Sequence, residues 1–352
     1  MRKKVNENRK IKVSNNKEIS LTIAIPTLNS AKTLNIPMKS LLNQEKNGFK
    51  IKTVLLDSGS EDDTKIIFDS YRDKLDLTFE DIGKCSIGKA RNYAIEFFKT
   101  DYLIFLDSDD ALIYDRLSFD YELIKRLKKP DFIYGDSLQI NKKSFKSSYY
   151  CKSSKFAEQY QFLNIPYNLS SLTVSRNFLL NNRIDFKTGR EGRLGEDWRF
   201  INQINSKSEN YLYSPYPKVI INSREDSHTQ DFLRCDLNIS KIELICDLFV
   251  TIRNERKLLT LLFFSAQIQS SFILALLNIC RYTYPKEIKH FFKNMKKIFI
   301  AYKKISFLYI FINIFLFPIS LYLIFFVHRR SIFSPLRSNI SLNSYKNFTA
   351  YL

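Results

Sequence analysis

Two stretches of this chain end an apolar run in a group of carboxylates. In "DYLIFLDSDDAL" five consecutive apolar residues precede Asp107, Ser108, Asp109 and Asp110, and in "IKTVLLDSGSEDDT" a second run leads into Asp57 and then Glu61, Asp62 and Asp63. A carboxylate at the buried end of a strand is costly unless something cationic compensates it. Oxygen ligands with no His or Cys nearby favour Mg2+ or Mn2+, and Mg2+ takes one or two protein carboxylates together with the phosphates of its ligand. Asp107 and Asp109 are therefore candidate ligands for Mn2+ or Mg2+ shared with a diphosphate. A plainer reading makes the acids helix caps, and it suits Asp62 and Asp63, which stand before a helix expected from Thr64.

The elements that would position these residues alternate in type. Strands are expected at Ile19–Ile25, stopped by Pro26, at Ile51–Asp57, at "DYLIFLD" and at Asp131–Ser137. Between them, Ala90, Tyr93, Ala94, Phe97 and Phe98 fall on one helical stripe. Pro37 fits the first turn of a helix near Ile36. Strands alternating with helices predict a doubly wound, mainly parallel α/β sheet. Ligands of such sheets sit at the carboxyl ends of the strands. The loops Pro26-Thr27-Leu28-Asn29, Asp57–Thr64 and Asp107–Asp110 are thus expected to converge on one edge.

The 352 residues suit a domain of about 200 to 250 residues plus an appendage. Lys and Arg number 55 against 36 Asp and Glu, for a net charge of +19. Such a balance fits nucleic acid, anionic lipid or phosphorylated small molecules. The basic clusters lie in the leader 1–18 and in Arg281–Lys304, where they alternate with aromatics and adjoin apolar sequence, so an anionic membrane surface is the expected partner and nucleic acid is not. Residues 236–304 read as a helical basic region and 305–327, uncharged and flanked by lysines and arginines, as a membrane-embedded segment, with a basic polar tail at 328–352. Five scattered cysteines without a C-x-x-C pair argue against a disulfide or thiolate framework. No apolar segment precedes residue 19, so a secretory signal is not expected.

"GKCSIGKA" matches G-x-x-x-x-G-K but ends in Ala90, lacking the hydroxyl a P-loop needs. Gly88 and Arg91 instead suit a close approach of this loop to a nucleotide, with Asn92 opening the next helix. In order and spacing, "IAIPTLN", "LLDSGSEDDT", "GKARNYAI", "LIFLDSDD" and "GEDWRF" resemble the family 2 glycosyltransferases of GT-A fold over about residues 20–231. That family moves a sugar from a nucleotide sugar to an acceptor hydroxyl with inversion.

The resemblance implies a GT-A domain over 19–235, with the nucleotide sugar bound by Pro26, Thr27, Asn29, Asp57, Gly88, Arg91, Asp107, Ser108 and Asp109. Asp57 would meet the base, Asp107 and Asp109 would form the D-x-D motif on ribose and metal, and Asp197 would be the general base. Glu196 beside it would raise its proton affinity and line the acceptor, and Trp198 could stack on a sugar ring. "INSREDSHTQ" resembles the family's Arg-x-x-Ser-x-Thr segment, making Arg224 a diphosphate partner. Ser58 stands where many members carry a second acid, and no Gln-x-x-Arg-Trp motif is present, so single additions are expected instead of processive synthesis. The acceptor would be a saccharide or lipid-linked molecule at the cytoplasmic face of the cell membrane. Two alternatives remain open from the residues: a silent nucleotide-sugar-binding protein, and a phosphoryl-transfer enzyme of haloacid dehalogenase type, whose nucleophile loop "DSDDA" approximates except at Ala111.

Overall fold

The computed structural model describes residues 18–44, 48–127, 129–141, 148–152, 167–188, 195–223 and 336–340. Arg224, the region 236–304 and the apolar segment 305–327 lie outside them, as does the leader up to residue 17.

The amino-terminal half alternates as expected: β1 (Ile19–Thr27), α1 (Asn35–Leu42), β2 (Phe49–Asp57), α2 (Thr64–Asp69), β3 (Leu77–Asp81), α3 (Ile87–Phe97), β4 (Tyr102–Phe105), β5 (Ala111–Leu112) and α4 (Arg116–Arg126). It continues through β6 (Phe132–Asn141), β7 (Ser148–Lys152), a 3-10 turn at Leu169–Ser171, β8 (Thr173–Ser175), α5 (Arg176–Asn181), α6 (Glu196–Lys207), β9 (Tyr211–Ser223) and β10 (Leu336–Ile340). Among the described residues the strands form one ten-stranded sheet with the main order β10-β7-β6-β8-β4-β1-β2-β3, and β9 pairs with both β5 and β6.

The expectation of a mainly parallel sheet holds for one half. β3, β2, β1 and β4 are parallel neighbours, whereas β8 runs antiparallel to β4 and β6, and β7 and β10 extend the sheet antiparallel. The change comes at β8, which lies between β4 and β6 and runs against both.

Period-two alternation divides the core between two faces. Ala24, Val54, Leu56, Leu103 and Phe105 point to the side covered by α3, α5 and α6. Ile23, Ile25, Leu55, Ile104 and Leu106 point to the side of α1, α2 and α4, against Met38, Phe68, Leu117 and Ile124. Helices on both faces make the parallel half doubly wound.

Three local expectations need adjustment. Pro26 does not stop β1, which runs to Thr27 in register with Asp57. The Ala24 carbonyl accepts from Leu106 N and the Thr27 carbonyl from Ser58 N, so by alternation Pro26 faces the β4 side, beyond the last paired residue there, Ala24 opposite Phe105. Its missing N–H leaves no ladder bond unmade. On α3 the buried residues are Gly88, Ala90, Arg91, Ala94 and Ile95, and Phe98 just past its end is buried as expected, while Phe97 is 56% exposed. That helix opens at Ser86, whose side chain accepts from Lys89 N, so Asn92 is mid-helix.

Candidate active site

The loops after β1 and β2 are bound into one lattice. Asn29, with φ at +50°, donates its N–H to Ser60 Oγ at 2.8 Å and accepts from Glu61 N through Oδ1 at 2.9 Å. Ser30 N donates to Thr64 Oγ1 at 2.8 Å, and Ala31 N to Asp62 Oδ2 at 3.0 Å. Asp62 Oδ1 also accepts from Thr64 N, so it caps α2, whereas Asp63 makes no side-chain cap bond.

Asp57 is consumed by this lattice. Its Oδ1 accepts from Thr27 Oγ1 at 3.2 Å and Ser60 Oγ at 2.6 Å, and its Oδ2 from Gly59 N at 3.1 Å and Ser60 N at 2.8 Å. Four donors fill the roughly four acceptor positions of a carboxylate, and the residue is buried. In this arrangement the carboxylate shapes the turn, including Gly59 at φ +84°.

The D-x-D turn follows β4 directly. Asp107, Ser108 and Asp109 are half-buried, and Asp110 is buried. Asp110 N closes the turn on Asp107 O at 3.1 Å. Ser108 meets the loop after β1 through Ser30 Oγ at 3.0 Å. Burial first, and then the charges of Asp107 and Asp109, push the Asp110 carboxyl well above the usual carboxylate range.

Arg91 joins this turn to the end of α6. Its Nη2 donates to Asp107 Oδ1 at 2.8 Å, its Nη1 donates to Asp197 Oδ1 and lies 3.6 Å from Glu196 Oε1. The guanidinium is 1% exposed, against 31% for Asp107 and Asp197, and it lies 5.3 Å from the Phe186 ring centre. Phe186 stacks on Phe200 at 3.8 Å and meets Phe105 edge-on, a firm apolar floor beneath the charge. Asp197 is pushed up to about 7, chiefly by desolvation, with Glu196 and Asp107 adding to the rise and Arg91 opposing it.

Two α3 residues fix Arg91 in place. Asn92 holds both backbone groups of Phe186, donating to its carbonyl and accepting from its N–H at 2.8 Å each. Gly88 is buried against the next residue, where an added Cβ would lie 2.9 Å from Lys187 O. Its small size therefore serves helix packing, and the expected approach of Gly88 to a nucleotide is replaced by contact with the chain. Gly88→Ala is expected to cost roughly 1–3 kcal/mol in thermal unfolding, because a backbone oxygen cannot swing aside as a side chain can.

The structure thus gathers Arg91, Asp107, Glu196 and Asp197 into one cluster, with Ser108 and Asp109 on the same turn and Pro26, Thr27 and Asn29 in the adjoining loop. Trp198 is 6% exposed, so its ring is packed inside and is not an open platform for a sugar. Among the described residues, no three His, Cys, Asp or Glu side chains form a group that could hold a metal ion, and no helix is long and apolar enough to cross a membrane. The sequence reading missed the Arg91 cage. The signal available was a single arginine on the helix face shared with Gly88, Ala94 and Ile95.

Residues 22–183 match the family model described as glycosyl transferase family 2. The chain is similar to the chondroitin synthase of Pasteurella multocida, 29% identical over 189 residues that cover 52% of this chain and 17% of that protein. It is also similar to the poly(ribitol-phosphate) β-N-acetylglucosaminyltransferase TarP of Staphylococcus aureus, 26% identical over 217 residues, covering 59% of this chain and 64% of that one. The chain spans less than two thirds of the length of either relative. Its fold is shared with S. aureus TarS 1–349, solved in complex with UDP-GlcNAc, at a TM-score of 0.60 and 17% identity over 80% of this chain and 81% of that one. The ordered motifs, the mixed α/β sheet and the matched residues agree: over residues 22–183, a little under half of its length, the chain matches glycosyl transferase family 2, and its fold is that of TarS 1–349.

Proposed function

We propose that the protein is an inverting glycosyltransferase that moves one sugar from a nucleotide-diphosphate sugar to a hydroxyl of a saccharide or lipid-linked acceptor. The observation that carries this reading is the Arg91 cluster, which holds the D-x-D turn and the Asp197 carboxyl on one buried guanidinium. A donor diphosphate at Asp107 and an acceptor hydroxyl at Asp197 would then be neighbours. In the reaction the acceptor oxygen bonds to the anomeric carbon, the bond from that carbon to the diphosphate breaks, and the hydroxyl proton passes to Asp197. A carboxyl near neutrality suits that role, since a base works best with its pKa close to the working pH.

Asp107 and Asp109 fit a divalent cation, Mn2+ or Mg2+. Both offer carboxylate oxygens on one turn, and their charges add to burial in raising Asp110. Among the described residues no third ligating side chain is grouped with them, and water and phosphate oxygens would supply further ligands to a bound ion, as they do for Mg2+. When bound, it would stabilise the charge of the departing diphosphate.

The names of the relatives, a chondroitin synthase and a poly(ribitol-phosphate) glycosyltransferase, support a polymeric saccharide or polyol acceptor. The basic, aromatic and apolar sequence of 281–327 supports attachment at the cytoplasmic face of the cell membrane, beside a lipid-linked acceptor. Thermal unfolding of the detergent-solubilised protein with UDP, GDP, CDP and dTDP, each with and without Mn2+, tests the donor site. One nucleotide at 100 times its Kd is expected to stabilise the protein by about 2.7 kcal/mol. The shift should need Mn2+ and vanish in Asp109→Asn. No shift with any of the four would overturn the reading.

A further inference from the structure

The D-x-D turn is gripped from beneath by a buried serine. Ser170 Oγ donates to Asp110 Oδ2 at 2.9 Å and accepts from Asp107 N at 3.3 Å, closing both ends of the turn. Its own N–H donates to Asn168 Oδ1 at 2.7 Å, and its carbonyl accepts from Arg116 Nη1. Arg116 also donates to Leu172 O at 3.1 Å and Thr173 Oγ1 at 3.3 Å, and pairs with Asp120. Asp120 receives Thr173 Oγ1 at 2.6 Å and the ammonium of Lys218.

These charges are almost wholly removed from water: Arg116 and Lys218 are 2% exposed and Asp120 is 0% exposed. Buried ion networks are often no more stable than apolar packing of the same volume, so stability alone is a weak reason for this one. Its geometry gives another. Lys218 crosses Gly135, where a Cβ would come within 2.7 Å of the lysine stem. Farther along β9, Asn222 N donates to Asp110 Oδ1 at 3.3 Å. Asp110 is thereby tied to Ser170 by one oxygen and to β9 by the other, two residues before Arg224 in sequence.

We infer that Ser170 is a positioning residue for the sugar transfer, locking the Asp107–Asp110 turn onto the buried Arg116–Asp120–Lys218 network and, through Asp110, onto the end of β9. The inference rests on the glycosyltransferase reading above. It assigns Asp110 to the lock as well, apart from Asp107 and Asp109, which face the donor. Without the Ser170 hydroxyl, Asp107 N and Asp110 Oδ2 both lose a partner, and the turn is free to shift beneath the diphosphate. Small misplacements of this kind cost up to about 100-fold in rate.

The test compares Ser170→Ala with Tyr102→Phe, which also removes one buried hydroxyl, here donated to Pro130 O at 2.9 Å at the opposite end of β4. Amide hydrogen exchange of residues 105–112 and steady-state kcat and KM for the donor are measured on the full chain. Ser170→Ala is expected to exchange at least about tenfold faster across the turn and to lose roughly 10- to 100-fold in kcat/KM. Tyr102→Phe should match wild type in both. If Ser170→Ala does not fold, Asp110→Asn keeps the size of the side chain, weakens the same lock and is expected to change both measurements in the same direction. Wild-type exchange in the variant overturns the inference, and so does faster exchange with unchanged kcat/KM. A wild-type protein that turns over no donor overturns the glycosyltransferase reading, while faster exchange in Ser170→Ala would still support the lock itself.

Discussion

Asp197→Asn is expected to leave a folded protein whose kcat falls roughly 100- to 10,000-fold, the contribution of a positioned general base. The amide keeps the shape and still accepts from Arg91, but it cannot take the acceptor proton. Wild-type kcat/KM should rise tenfold per pH unit up to about 7 and level off above it, because only the ionised Asp197 serves as base. The same shift has an opposite consequence for stability. The folded-state value of about 7 exceeds the ordinary 3.8, so the stability this group contributes is fully present below about pH 3.8 and is lost as pH rises through about 7. Asp197→Asn should therefore melt no lower than wild type at pH 8, while being nearly inactive. A melt well below wild type at pH 8 would assign Asp197 to the fold instead of the chemistry.

Arg91→Met is expected to do both kinds of damage. It removes the cation that Asp107, Glu196 and Asp197 share, in a site where the guanidinium is 1% exposed. Breaking a buried pair by deleting one partner costs about 3–5 kcal/mol, and the lower end applies because water reaches Asp107 and Asp197. Thermal melts should show that loss at pH 8 and recover part of it near pH 5, where Asp197, raised to about 7, is protonated and adds no charge to the cluster. Arg91→Lys keeps the charge but has no planar fork to span two carboxylates, so it should recover more stability than activity. A fully active Arg91→Lys would mean that the two ends of the cluster need charge balance only.

Of the parallel half, β1, β2 and β4 were legible as short apolar runs stopped by polar loops: Asp57 ends β2 and Asp107 follows β4. The edge strand β3, only half-buried, was not. Of the antiparallel half only β6 was legible: β8 is three residues long, and β10 is far from its partner β7 in sequence. Local pattern carries no information about such pairings. The stripe expected on α3 holds at Ala90, Ala94 and Phe98, with Tyr93 packed on the same core, and fails at Phe97; it also leaves out Gly88 and Arg91. Extended to them, it sets an arginine in the middle of a buried face, which is itself a sign that carboxylates must meet it. The lattice around Asp57 escaped for a different reason: an acid after a strand reads as a ligand, and the four internal donors meet it only once the loops are folded together.

The bonds between the loops after β1 and β2 bear on how donor preference in this chain could be re-engineered. Asn29 and Ala31 on one side and Ser60, Glu61 and Asp62 on the other supply each other's backbone partners across about thirty residues of sequence. A graft that replaced the first loop alone would strand the amide of Glu61 and the carboxylate of Asp62. A graft of the second alone would strand the amides of Asn29 and Ala31. The unit of exchange is therefore the pair, and chimaeras that exchange both loops together should keep their fold where single exchanges do not.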